Sequence, residues 1–210
     1  MSRVKSEPGP VPRPTRDRLI TATVEQFRLG GYHGTGIKSI LTAAPAPYGS
    51  LYHFFPGGKE ELAAAAIHTS GQAYRDLVDL SFPPGADPVE ATRSFFDGAA
   101  EVLAGTDWID GCPLARVALE TAQDSEPLRQ AALEAFESWL DVLTVRLDEV
   151  GVSAESARVL AVQLFCLIEG AFLLARVARD REALSDAGDG AAELVAAALA
   201  ARPKKISSSI

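Results

Sequence analysis

The sequence has few cysteines and histidines and no uninterrupted apolar run of membrane-spanning length. Its 210 residues include two cysteines, Cys112 and Cys166, and three histidines, which is too few for a disulfide framework or a closely spaced zinc site. Its richest apolar stretch, 159–177, contains Gln163, Glu169 and Arg176, so it falls short of the roughly 20 consecutive apolar residues of a membrane helix. Prolines 8, 10, 12 and 14 occupy the place of a secretion signal's apolar run. We therefore expect a cytoplasmic protein with no membrane partner, metal or cofactor.

Charge is divided unevenly along the chain. The formal net charge is −8, yet residues 1–60 contain eight Lys or Arg against four Asp or Glu, whereas the other 150 residues contain 12 against 24. A basic head on an acidic body indicates that the head meets a polyanion. Simple unevenness of surface charge explains the same numbers, so this alternative stays open.

Apolar spacing predicts an all-α protein of about nine helices. Ile20, Val24 and Phe27 share one face of a first helix, and no segment alternates as a strand does. The helices are predicted at 15–30, 36–44 with Thr35 as N-cap, 47–54, 59–80, 88–104, 111–123, 125–151, 154–180 and 190–201. The predicted domains are a disordered arm (1–14), a helix-turn-helix domain (15–58), a ligand-binding and dimerisation domain (59–202) and a flexible tail (203–210).

The short third helix has the features of a helix that enters a DNA major groove. Such a helix needs a small residue for close approach and polar tips that reach bases and phosphates. Gly49 is costly inside a helix, which indicates close approach. Leu51 and Phe54 or Phe55 are predicted to anchor the inner face. The outer face is then formed by Tyr48, Ser50, Tyr52 and His53.

Residues 15–67 resemble the N-terminal domain of the TetR family of transcriptional regulators. The matching segments are Thr35-Gly36-Ile37, the run from Gly49 to Pro56, and Lys59-Glu60-Glu61-Leu62. Pro47, Pro56-Gly57-Gly58-Lys59, Gly111-Cys112-Pro113 and Ile168-Glu169-Gly170-Ala171 are similar to the LmrA/YxaF-like branch. The sequence departs from the family at Pro45, where glycine is usual, and at Tyr48, where many members have a basic residue.

The resemblance implies a ligand-responsive regulator, usually a repressor, that binds a palindromic double-stranded DNA operator as a homodimer. A small apolar or amphipathic effector would release the DNA by binding the C-terminal body. The residues that the resemblance places at the DNA are Thr35, Gly36, Lys38, Pro47, Tyr48, Gly49, Ser50, Tyr52, His53 and Lys59.

The helix predicted at 154–180 is apolar nearly all round, so we expect it to be buried on several sides. One stripe of it is predicted as the dimer seam, with a purely internal role as the alternative: Leu167, Gly170, Leu174 and Val177. Aromatic and polar residues are predicted to line the effector pocket: Phe96, Trp108, Cys112, Phe136, Trp139, Gln163, Cys166 and Glu169. Each aromatic residue is equally consistent with a place in the core, Glu169 with a bond to Arg176, and Cys112 with an inert buried thiol.

Two other classes of function stay open at this point. An enzyme would need residues that are distant in sequence to meet in space, because no phosphate loop or catalytic Ser/His or Cys/His frame is present. A helical module that senses a ligand without touching DNA would fit the acidic body. Salt-dependent DNA binding would distinguish the regulator from this module, whereas an enzyme would show turnover. The helix-turn-helix residues lead us to predict a regulator and not an enzyme.

Overall fold

The computed structural model describes residues 13–201, which form nine helices and, within that range, no strand. This confirms the predicted all-α class. The arm at 1–12 and the tail at 202–210 lie outside the described residues. The helices are α1 Thr15–Gly30, α2 Ile37–Ala43, α3 Tyr48–Phe54, α4 Lys59–Ser81, α5 Pro88–Gly105, α6 Pro113–Thr121, α7 Glu126–Glu149, α8 Ala154–Ala178 and α9 Glu182–Ala200.

The N-terminal head consists of α1, α2 and α3 on a small core shared with the start of α4. Leu19, Ile40, Leu51 and Leu62 are almost fully buried there, one from each of these helices. The Nε of Arg18 donates to the carbonyl of Ala44 at 3.1 Å, which ties α1 to the turn between α2 and α3. The inner face of α3 is therefore fixed, and its other face is left exposed.

The body is built from α4 to α9 and has its core between α5, α7, α8 and α9. The α4 helix runs from the head into the body, where it packs along α7. A Cβ on Gly71 of α4 would lie 2.6 Å from that of Ala135 on α7. The indole N–H of Trp139 donates to the Gly71 carbonyl at 2.7 Å, so α4 and α7 are held together at the same point.

The last helix begins at Glu182 and not at the predicted position 190. Gly188 and Gly190 made the segment before 190 unfavourable for a helix on propensity alone. Gly188 is buried, and a Cβ there would lie 2.8 Å from the Cβ of Phe96 on α5. Tertiary packing against α5 therefore uses the missing side chain and extends the helix.

The α8 helix is less buried in this chain than predicted. Its length and composition alone would suffice to cross a membrane, as is also true of many core helices in globular proteins, and about a third of its most apolar window is buried. Leu160, Leu164 and Ile168 face the core, while Leu174 and Val177 are 62% and 78% exposed.

Candidate DNA interface and body cavity

The outer face of α3 presents two tyrosines to solvent. Tyr48 is 61% and Tyr52 46% exposed, and their ring centroids are 5.7 Å apart. A side-chain hydrogen bond with Tyr48 raises the pKa of Tyr52. His53 is also exposed, and Ser50 is half-buried. The predicted outward set is therefore found together on one exposed surface.

Gly49 and Gly36 lie beside this surface, and neither is required by packing within the chain. Both are exposed, and a Cβ built on either would meet no atom within 4 Å. Gly49 lies inside α3, where glycine costs about 0.5–1 kcal/mol relative to alanine. Pro47 is exposed and is the N-cap of α3 rather than part of its first turn. The space beside both glycines is therefore open to solvent.

The predicted role of Thr35 as N-cap and phosphate ligand is wrong. The N-cap of α2 is Gly36, and Thr35 is only 2% exposed. Its hydroxyl proton lies between the carbonyls of Gly31 at 2.7 Å and Gln26 at 3.0 Å and is shared by them, so it fixes the end of α1. The backbone amides at the start of α2 remain available to a phosphate.

Lys59 has an internal partner that the sequence did not predict. Its ammonium donates to the Tyr32 carbonyl at 2.7 Å and lies 4.1 Å from the centroid of the Tyr32 ring. Burial lowers the pKa of Lys59. The free phosphate-binding ammonium expected at the start of α4 is therefore engaged inside the head. Lys38, in contrast, is exposed on α2.

The body contains a cavity of about 310 Å³ between α4, α5, α7 and α8, closed at one end by the loop before α6. Its walls are mainly apolar. Of the predicted pocket residues, Phe96, Cys112, Trp139 and Glu169 line it. The sequence missed the aromatic lining residues Tyr74, Phe82, Phe95 and Phe172, because helical spacing does not distinguish a cavity wall from a packed core.

The other four predicted pocket residues lie elsewhere. Trp108 packs on the body core, and Phe136 packs with its ring centroid 5.4 Å from that of Phe165, behind the cavity wall. Gln163 and Cys166 are exposed on the outer face of α8, away from the cavity. Cys166 lies one helical turn from Glu169, but the edge of the cavity falls between them and leaves Cys166 exposed to solvent, so the prediction that both residues line one pocket was wrong.

Glu169 and Cys112 are two of the polar residues in the cavity wall. Burial raises the pKa of Glu169, and a hydrogen bond with Cys112 opposes that shift. Burial also raises the pKa of the Cys112 thiol, with the Glu169 charge acting in the same direction. The Cys112 sulfur accepts from the Ala115 amide at 3.4 Å and caps α6. A thiol in this environment is protonated and unreactive, which agrees with the alternative of Cys112 as an inert buried cysteine.

One residue of the head, Arg28 of α1, reaches the cavity. It forms a hydrogen-bonded ion pair with Asp110 of the loop before α6, and both side chains line the cavity. Nothing in the sequence spacing pointed to this pair, because its members are 82 positions apart.

The α6 helix is bound directly to the end of α1. Arg116 donates to the Leu29 carbonyl at 3.2 Å, and the Glu120 carboxylate accepts from the His33 amide at 2.9 Å. Gly31 allows this approach, since it has a φ of 69° and a Cβ there would collide with Glu120. The helix that begins at the cavity wall therefore ends on the head.

Two segments of the chain each match a family model. Residues 19–66 match the model for bacterial regulatory proteins of the tetR family, and residues 88–190 match the C-terminal domain of LmrA/YxaF-like transcriptional regulators. The chain is 38% identical to the HTH-type transcriptional regulator YxaF of Bacillus subtilis over 170 residues, which are 81% of this chain and 89% of YxaF. The chain belongs to the TetR family. Its resemblance to the LmrA/YxaF-like branch is confirmed.

Further relatives of this TetR-family chain agree in sequence and fold. The HTH-type transcriptional regulator LmrA of Bacillus subtilis is 34% identical over 79% of this chain and 88% of its own. A regulatory protein TetR from Rhodobacter sphaeroides superposes with a TM-score of 0.75 at 26% identity, over 86% of this chain and 98% of that one. The family assignment identifies the chain as a DNA-binding, helix-turn-helix transcriptional regulator, with the motif in α2 and α3.

The exposed stripe of α8 has no internal explanation in this TetR-family regulator. Gly170 lies in the middle of the stripe, and a Cβ there would meet no atom within 4 Å. Leu173, Leu174 and Val177 are all more than 60% exposed. Leu167, which was predicted on this stripe, instead packs partly on the body core, and Leu173 lies on the exposed side without having been predicted.

Within residues 13–201, no three His, Cys, Asp or Glu side chains lie close enough together to hold a metal ion.

Proposed function

We propose that the protein is a cytoplasmic, homodimeric repressor that leaves a palindromic operator when a small apolar or amphipathic effector enters the body cavity. The observation that carries this proposal is the Arg28–Asp110 pair, through which a helix of the DNA-binding head forms part of the cavity wall. An occupant of the cavity would therefore act on the head without an intermediate element.

The proposed DNA surface is the exposed face around α3. Tyr48, Tyr52 and His53 would meet base edges and sugars, and Gly36 and Gly49 would bring backbone close to phosphates. Ser50 and Lys38 would add phosphate contacts, and so would the backbone amide of Lys59 rather than its ammonium. Because α3 contains no Lys or Arg, base contacts would rely on His53 and on the tyrosines, whose rings fit against a thymine methyl group.

The proposed dimer seam is the exposed α8 stripe with Gly170, Leu173, Leu174 and Val177. Exposed apolar residues arranged as a continuous stripe are unfavourable in a monomer, and a central glycine lets a second helix come close. A two-fold axis at this seam would place two α3 helices in successive major grooves, about 34–36 Å apart.

The proposed coupling between the cavity and the head runs through α6 and the end of α1. It adds to the route through α4, which joins the head to the body. An effector that displaces Asp110 from Arg28 would loosen α6 from α1 and change the spacing of the two heads. Such an effector must bind the released form more tightly than the DNA-bound form.

An exchange of the two charges tests this coupling. Arg28→Asp and Asp110→Arg should each change the ligand response of DNA binding, measured by fluorescence anisotropy with operator DNA. The double exchange should restore part of it, because opposite charges again face each other, while Glu25, which also pairs with Arg28, would lie beside a carboxylate. Arg129→Asp in α7, which removes an exposed pair with Glu126, serves as the control and should leave the response unchanged. A normal response in both single variants would contradict the coupling.

A further inference from the structure

The charges in the cavity do not balance. Arg28 is the cation of the wall, and its guanidinium already pairs with Asp110 of the wall and with Glu25 of its own helix. Glu169 is the third charged residue of the wall, and in the described range 13–201 no Lys or Arg forms an ion pair with it. Its side-chain neighbour is the Cys112 thiol, which is itself uncharged. Among the described residues, the cavity therefore contains one carboxyl group whose charge has no cationic partner.

Many of the residues that line the same cavity are aromatic. Tyr74, Phe95, Phe165 and Phe172 line the cavity together with Trp139. Faces of aromatic rings attract an organic cation, and the attraction increases as water is excluded. The same walls receive the apolar part of a ligand, because they present little polar surface to it.

We propose that the cavity takes an amphipathic organic cation, with its ammonium group at Glu169 and its apolar body among the aromatic rings. This inference rests on the effector cavity of the function proposed above. A cation supplies the missing partner of Glu169, an uncharged ligand leaves that charge unbalanced, and an anion is repelled by it. The excess of acidic over basic residues outside the head, 24 against 12, favours the approach of a cation from solution.

Three probes that share a phenylbutyl group and differ in the polar end test the charge preference in the absence of DNA: 4-phenylbutylamine, 4-phenylbutanol and 5-phenylpentanoate. Isothermal titration calorimetry on the full-length protein should show the amine binding about tenfold more tightly than the alcohol, and the carboxylate most weakly. Glu169→Gln should remove the advantage of the amine and leave the affinity for the alcohol unchanged. Glu101→Gln, an exposed carboxylate of α5 outside the cavity, is the matched control and should behave as the wild type.

A second readout does not depend on a variant. Because the amine requires ionised Glu169, its affinity for the wild type should rise from acid to neutral pH, while that of the alcohol stays level. Two results would overturn the proposal that the ligand is a cation held by Glu169: equal binding of amine and alcohol by the wild type, or an amine advantage that survives in Glu169→Gln. Either result would leave the cavity as an effector site. Failure of all three probes to bind overturns the inference together with the effector role of the cavity. Operator binding, measured separately, is independent of both results.

Discussion

Alanine at Gly49 should stabilise the protein and weaken its binding to DNA. A methyl group there meets no atom of the chain within 4 Å, so it adds helix propensity without a clash. Glycine to alanine inside a helix gains about 0.5–1 kcal/mol, and Gly49 lies in the first turn of α3, which favours the lower value. At roughly 2–4 °C per kcal/mol for a chain of this size, the melting temperature should rise by about 1–2 °C.

The effect on DNA should have the opposite sign. If the backbone at Gly49 approaches a phosphate, a methyl group separates the two surfaces and disturbs at least one hydrogen bond there. The loss of about 1.4 kcal/mol corresponds to a tenfold weaker affinity. Differential scanning calorimetry measures the first effect, and fluorescence anisotropy with operator DNA measures the second.

Gly105→Ala is the matched control for this experiment. Gly105 is the exposed last residue of α5, and a Cβ on it also meets no atom within 4 Å. The control should be no less stable than the wild type and should bind DNA with unchanged affinity. A Gly49→Ala variant that is stabilised and still binds operator as tightly as the wild type would refute the proposed approach of DNA to this backbone.

Three further predictions concern the body. Leu174→Asp should convert the dimer into a monomer in sedimentation velocity. The control Leu119→Asp, at a residue of α6 that is 87% exposed, should leave the dimer intact. Dissociation by both variants or by neither would contradict the proposed dimer seam. Trp139→Phe removes the buried donor to the Gly71 carbonyl and should lower the free energy of unfolding by about 1–2 kcal/mol in urea titrations, with no change expected if that bond contributes nothing. Burial raises the pKa of Glu169, so its contribution to stability is lost as pH rises through that folded pKa. The melting temperature of Glu169→Gln, relative to that of the wild type, should therefore increase from acid to neutral pH. A difference in melting temperature that does not depend on pH would contradict the burial of this charge.

Local features of the sequence were sufficient for most of the fold. Proline and glycine positions marked the ends of α1, α3 and α4. The side chains of Ser125 and Ser153 cap α7 and α8, close to where the apolar spacing placed the starts of these helices. The start of α9 could not be predicted, because Gly188 acts as a helix breaker in isolation and as a packing residue against α5.

The DNA face was easier to predict than the cavity. A short helix has one inner and one outer side, so the burial of Leu51 assigned Tyr48 and Tyr52 to the outside. Contacts between residues distant in the chain carried no such signal. The hydrogen bond from Lys59 to the Tyr32 carbonyl, like the Arg28–Asp110 pair, depends on how whole helices pack.

The most direct test of the central claim is the binding of the purified protein to its own upstream DNA, titrated across salt concentration in the presence of competitor DNA. We predict a complex that unrelated DNA does not displace and that weakens steeply as salt rises, because phosphate contacts release counterions. Binding that competitor DNA abolishes, with no sequence recovered by selection from random DNA, would contradict the account of α3 as a sequence-reading helix.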